Sequence, residues 1–198
     1  MRSVRMGNRG ITSSPVRLTY QDLRRLPDDG MRHELIDGEH YVTPAPRPKH
    51  QRVSGRLYLR LGTFLEEHPL GRVYYAPLDV VLTDLDCVEP DLLYVSDERE
   101  QRQMTEDYLE GAPDLVVEIL SPSTKRVDQG VKHRLYERFL VQEYWIVDPE
   151  KETVSVYRLQ DDRLQLSTEL FRQGGTSVPV LSTPLLPGLE IRLDKVFD

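Results

Sequence analysis

One cysteine, Cys87, stands in a chain of 198 residues, so the sequence can form neither an internal disulfide nor a thiolate zinc cage. That scarcity fits a reducing, cytoplasmic setting, and the lone thiol reads as a small buried hydrophobe. No run approaches the roughly 18 apolar residues that a membrane span requires. Met1 to Val16 carries arginines and serines without a continuous apolar stretch, which predicts a loose leader over residues 1–17 rather than a signal peptide. Also missing are the phosphate-cradling GxxxxGK[ST] and GxGxxG loops, the GxSxG elbow and the HExxH zinc pair. Nucleotide-driven, serine-hydrolase and zinc-peptidase chemistries lose their usual signatures with them.

What is present suffices for one core. With 38% apolar residues the chain predicts a single domain over residues 18–198. The formal charge of −7 excludes a uniformly basic surface, but the charge is partitioned along the sequence. Pro46 to Leu61 holds Arg47, Lys49, Arg52, Arg56 and Arg60 with no acid, whereas Asp84 to Asp114 holds eleven acids against Arg99 and Arg102. Ser121 to Arg138 is basic again, with Lys125, Arg126, Lys132, Arg134 and Arg138 against Asp128 and Glu137.

Thr19 and Asp22 predict a capped short helix ended by Pro27 and Gly30. Asp37-Gly38, between two strand-like runs, predicts a hairpin. Val53, Leu57, Leu61, Phe64 and Leu65 recur at helical spacing, so a helix is expected from His50 to His68. Arg52, Arg56 and Arg60 each precede an apolar residue of that series and form a basic stripe about 100° around the helix from its core face. The stripe suits a phosphate backbone or a solvated flank equally. Four strand-like runs follow, Val73–Leu82, Pro90–Val95, Asp114–Leu120 and Glu143–Val147, and a helix from about Asp128 to Leu140 separates the last two. Thr153–Leu159 and Arg163–Leu170 predict an appended hairpin, and Leu189–Leu193 a last short strand.

Glu118 interrupts Leu115-Val116-Val117-Glu118-Ile119-Leu120, a run otherwise suited to burial. A carboxylate taken out of water there costs several kcal/mol, roughly, unless a cation, a partner or a proton compensates it. Asp91 opens the neighbouring strand after Pro90, and two adjacent strands can present both carboxylates at one sheet end. Oxygen ligands of this kind select Mg²⁺ or Mn²⁺. Lys132 lies four residues after Asp128 and four before Tyr136, on one side of the helix that follows Glu118. It reads either as a functional ammonium or as half of a surface pair with Asp128, and Lys125 in the preceding loop is a rival. Glu34 can add a carboxylate or pair with an arginine, and His50 can meet a phosphate or cap its helix.

Arg32-His33-Glu34-Leu35-Ile36-Asp37-Gly38-Glu39, Glu89-Pro90-Asp91-Leu92, Gly111 to Ser123 around Glu118, and Glu143-Tyr144-Trp145-Ile146-Val147-Asp148-Pro149 together resemble the Uma-type family of restriction-endonuclease-like proteins, over about Thr19 to Leu193. The resemblance implies a PD-(D/E)XK nuclease fold, a mixed α/β sheet with an αβββαβ core, flanked here by an N-terminal and a C-terminal hairpin. It implies that Asp91 supplies the aspartate and Glu118 the acidic partner. The superfamily lysine ordinarily stands two residues after the glutamate, where this chain has Leu120. The family carries it on the following helix, which assigns the role to Lys132, with Glu34 completing and Tyr136 supporting the site.

The expectation is therefore a Mg²⁺- or Mn²⁺-dependent endonuclease acting on DNA. Asp91, Glu118 and the Ile119 carbonyl hold the ion, while His50, Arg52, Arg56, Arg60 and Lys125 meet phosphates. RNA or a structured junction is an alternative substrate, and a catalytically silent binding or regulatory module an alternative role. No membrane partner is expected. By analogy with related nucleases a homodimer is.

Overall fold

The computed structural model describes residues 16–122, 125–172 and 177–198. Residues 1–15 of the expected leader lie outside them.

The short helix α1 (Tyr20–Leu23) carries the expected capping box between Thr19 and Asp22. Strands β1 (Arg32–Ile36) and β2 (Glu39–Thr43) form the expected hairpin. Asp37 and Gly38 both take positive φ, 54° and 76°, the backbone that a tight two-residue turn of this hand demands. The long helix α2 (Pro48–Glu67) opens with proline at its first position and buries Val53, Leu57, Leu61 and Leu65.

The run from Val73 to Leu82 is not one strand. β3 (Gly71–Tyr75) and β4 (Val80–Thr83) belong to different sheets, and the break falls at Pro77, whose nitrogen cannot donate to a ladder. Then come β5 (Asp86–Val88), β6 (Leu92–Ser96), helix α3 (Asp97–Gln103), β7 (Leu109–Glu110) and β8 (Leu115–Ile119). A π-helical stretch, Val127–Lys132, runs directly into α4 (His133–Arg138), so the expected uniform α-helix is wound wider in its first half. β9 (Glu143–Asp148), β10 (Thr153–Gln160) and β11 (Arg163–Phe171) follow, then β12 (Val180–Leu181), β13 (Ile191–Arg192) and α5 (Asp194–Phe197).

The main sheet runs β11-β10-β9-β8-β6-β3, with β8 and β9 parallel and every other neighbouring pair antiparallel. A parallel pair needs a crossover, which the π stretch and α4 supply. The C-terminal hairpin is no appendage: β10 pairs along β9 and extends this sheet. A second sheet, β2-β1-β5-β4-β7, stands beside it. Skipping β4, β5, α3 and β7, the order α2, β3, β6, β8, α4, β9 is the expected αβββαβ core, a restriction-endonuclease-like fold.

Alternation divides the main sheet into two faces. Leu92, Tyr94, Leu115, Val117 and Ile119 pack on α2 and the C-terminal segment, whereas Leu93, Val95, Val116 and Leu120 pack on Leu135 and Tyr136 of α4 and on Ile36, Val80 and Val88 of the second sheet. By the same alternation Asp91 and Glu118 point to the second face. Among the described residues no helix is long and apolar enough to cross a membrane.

Candidate active site

Strands β6 and β8 pair with Leu92 opposite Val117 and Leu93 opposite Val116. One step further along that antiparallel register sets Asp91 across from Glu118, on one face at one end of the sheet. Both are buried, at 4% and 3% exposure. The strands are knit at this point, because the Ile119 N–H donates to Asp91 Oδ2 at 2.8 Å.

Lys132 reaches the same place from the π stretch. Its Nζ lies 2.7 Å from Glu34 Oε1, 3.0 Å from Glu118 Oε1 and 3.8 Å from Asp128 Oδ1. Lys132 and Asp128 are both buried, so they are not the surface pair that their spacing also allowed. The Tyr136 hydroxyl donates to Glu118 Oε1 at 2.7 Å, and the Glu89 N–H to Glu34 Oε1 at 2.8 Å. Leu120, two residues after Glu118, is buried in the hydrophobic cluster.

Asp91 has its own cationic side. Arg32 Nη1 donates to Oδ1 at 2.7 Å, and His50 Nε2 sits 3.0 Å from Oδ2. Facing an ionised carboxylate, Nε2 is the donor. The other ring nitrogen, Nδ1, is buried and has no hydrogen-bond partner among the described residues.

The electrostatics follow from crowding four carboxylates, Glu34, Asp91, Glu118 and Asp128, with fewer cations into one low-dielectric cavity. Burial works against charge on Lys132, but Glu118, Glu34 and Asp128 outweigh it and hold the ammonium protonated. Burial pushes the Glu118 carboxyl up to about 8; the Lys132 charge offsets part of the rise, while Asp128, Asp91 and Glu34 add to it. Burial also acts to raise Asp91, yet the His50 ring, the Arg32 guanidinium and the Ile119 N–H prevail and its pKa is lowered. Burial together with Asp79 and Glu34 lifts Glu89 to about 7.

The cavity encloses about 420 Å³, and Arg32, Arg47, Pro46 and Ser121 complete its wall beside these acids. Among the described residues no group of three His, Cys, Asp or Glu side chains is already disposed as a metal cage. The donor chemistry nonetheless fits a hard cation: all-oxygen side chains from two adjacent strands, no thiolate among the lining residues, and four carboxylates crowded together. Asp91 and Glu118 are the acidic side chains from adjacent strands that could hold such an ion, and Ile119 also lines the cavity.

Of the expected site residues, the cavity gathers Asp91, Glu118, Ile119, Lys132, Glu34, His50 and Asp128, with Tyr136 hydrogen-bonded to Glu118 behind it. It does not gather Lys125, whose Nζ is 3.1 Å from Asp148 Oδ2, nor Arg52, Arg56 and Arg60. Arg56 donates to the Asp198 backbone carbonyl. Each arginine lies one residue before a core residue of α2, about 100° to one side; His50, Ser54 and Tyr58 lie three residues before, about 60° to the other side, and on that flank His50 lines the cavity while Ser54 and Tyr58 line a groove adjoining it. Arg32 and Arg47 are the cavity cations that sequence reasoning missed. Arg32 was within reach of it, since residues two apart in a strand share a face and Arg32 stands two before Glu34.

Comparison with known proteins agrees with this architecture. The solved structure of a putative nuclease of DUF820 from Anabaena variabilis is similar with a TM-score of 0.74, across 91% of this chain and 97% of that one, at 20% identity, a likeness of fold. The uncharacterized protein slr1290 of Synechocystis sp. is 30% identical over 136 residues, covering 66% of this chain and 68% of the relative. The family described as Uma2, putative restriction endonuclease, matches residues 20–194. A match over nearly the whole described chain, on a restriction-endonuclease-like fold, places this protein in the Uma2 family.

Proposed function

We propose that the protein is a divalent-metal-dependent endonuclease that hydrolyses phosphodiester bonds in DNA. The observation that carries this reading is the convergence of Asp91 and Glu118 on one cavity with Lys132 hydrogen-bonded to Glu118. Asp91, Glu118 and the Ile119 carbonyl would hold Mg²⁺ or Mn²⁺, which when bound supplies Lewis-acid polarisation of the scissile phosphate. Each remaining task falls to a side chain of this protein. Lys132, held as an ammonium, orients the attacking water and offsets charge on the phosphoryl oxygens; being protonated, it acts as a donor and not as a base. Glu34 fixes the Lys132 head, and Tyr136 fixes the Glu118 carboxylate. Arg32 and Arg47, on the cavity wall, take the flanking phosphates.

The test is nicking of supercoiled plasmid with Mg²⁺ or Mn²⁺ by the parent, Asp91→Ala and Glu118→Ala. Cleavage by the parent alone supports the reading, and equal activity in all three preparations identifies a contaminant and overturns it. Run beside it, single-stranded RNA and a branched junction separate the alternative substrates.

The same proposal includes one folded domain over 18–198, a cytoplasmic location suited to the free thiol of Cys87, and a homodimer addressing two strands, which light scattering measures. A catalytically silent module is the second reading. It is favoured by the Arg32 to Asp91 ion pair at 2.7 Å, which neutralises a proposed ligand without any metal. Calorimetric titration of Mg²⁺ against the parent and Glu118→Ala separates the two, since a silent module gives the same trace for both.

A further inference from the structure

A second groove, of about 450 Å³, adjoins the cavity and shares Arg32, Pro46, His50 and Asp91 with it. Its far wall is aromatic. Tyr58 of α2 and Tyr75 of β3 meet edge to face, with ring centres 4.8 Å apart at 76°. They are 36% and 58% exposed, and neither belongs to a hydrophobic core cluster.

Between the tyrosines and Asp91 the helix presents Gln51, Ser54 and Gly55. A Cβ at Gly55 would meet nothing within 4 Å, so the groove floor is open space at this mid-helix position, where glycine weakens the helix relative to alanine. The surface thus combines a π-face, a small open floor, and an amide and a hydroxyl suited to a polar ring edge. It stands one side chain away from the proposed phosphate site.

We propose that this groove holds an unpaired nucleobase of the nucleotide adjoining the scissile phosphate, so that the protein prefers a single-stranded or locally opened DNA strand to continuous duplex. The inference rests on the nuclease reading above. In a duplex both faces of each base are covered by its neighbours, and only an unstacked base can lie against Tyr58 or Tyr75. Because Arg32 and His50 wall both spaces, a phosphate engaged at Arg32 leaves its own sugar and base beside the tyrosines. Stacking on a ring is tolerant of sequence, so the preference is for strandedness and not for a base. The same two tyrosines border a further groove along α2 and β3, which gives the strand a path onward.

The experiment is fluorescence anisotropy with the full chain in calcium buffer, using a labelled single-stranded oligodeoxynucleotide, its blunt duplex, and single strands carrying one abasic position. The expected result is tighter binding of the single strand than of the duplex. Tyr58→Ala and Tyr75→Ala each weaken single-strand binding about tenfold and leave the duplex unchanged, Tyr75→Trp retains it, and one abasic position reproduces the loss. Gly55→Leu, which fills the groove, weakens binding without lowering the melting temperature. Parent affinity in both tyrosine-to-alanine variants, or a duplex bound as tightly as the strand, overturns the proposal while cleavage by the parent leaves the nuclease reading intact. A parent that neither binds nor cleaves any of these nucleic acids overturns both.

Discussion

Lys132 Nζ hydrogen-bonds Glu118 Oε1 at 3.0 Å from fourteen residues along the chain. The glutamate is fixed on a strand and the lysine on a helix, so a strand position two residues on is free to become Leu120 and join the core. Lys132 is also the shared cation of Glu34 and Asp128. Removing one partner of a buried charge cluster strands the others. Lys132→Ala is expected to lose about 3 kcal/mol of stability or more, less at acid pH where the carboxyls take protons, as urea denaturation at two pH values measures. Cleavage should fall by at least about 100-fold.

Glu118 gives a pH dependence of definite sign. Its carboxyl titrates near 4.5 when unfolded and at about 8 in the folded chain. The folded state therefore keeps a proton that the unfolded state gives up. Stability from this group is fully present below the unfolded value and is lost as pH rises through about 8. Denaturation of the metal-free protein from pH 5 to pH 9 should show the decline, which Glu118→Gln removes.

Metal binding at the proposed site displaces that proton. Affinity should rise with pH and level off above about 8, with proton release seen as a buffer-dependent heat in calorimetry. A pH-independent affinity would place the metal elsewhere.

Tyr136→Phe removes one hydrogen bond from the charged form of Glu118. The fold should lose only about 1 kcal/mol, while the Glu118 carboxyl becomes harder to ionise. Metal affinity at neutral pH is expected to drop several-fold and to recover in alkaline buffer, a rescue that a general packing defect does not give.

Gly38 reaches the site through β1, which carries Arg32 and Glu34. A Cβ on Gly38 meets Arg17 Cβ at 2.6 Å, on a backbone with φ of 76°. Gly38→Ala should cost about 1 to 2 kcal/mol in denaturation midpoint analysis, and loosening of β1 should lower cleavage with it.

The proposed ligands were legible because their surroundings are incongruous: a carboxylate within Leu115 to Leu120 has no cheap place in a core, and Asp91 opens the next strand. The Asp37-Gly38 turn was legible because its backbone admits few residues. Lys132 was ambiguous, since Asp128 and Lys132 have the same spacing on a wet surface as in a buried cluster, and only the burial of both, with Lys132 against Glu34 of β1, decides. The arginine stripe misled for a related reason: helical period gives an angle from the core but not which flank borders the cavity. The split of Val73 to Leu82 between two sheets was written in Pro77, within a run whose β-branched residues argued for continuity.

The π winding over Val127–Lys132 makes the ammonium's aim a matter of residue count. Rewound to α pitch with no residue lost, that stretch would swing the lysine head roughly 90° around the axis, away from the acids, whereas deleting one residue, for instance the exposed Gln129, would let it tighten with the head nearly on its present bearing. The wider coil thus holds one residue more than α pitch requires, and loss of that residue should be tolerated here where insertion of a further one is not.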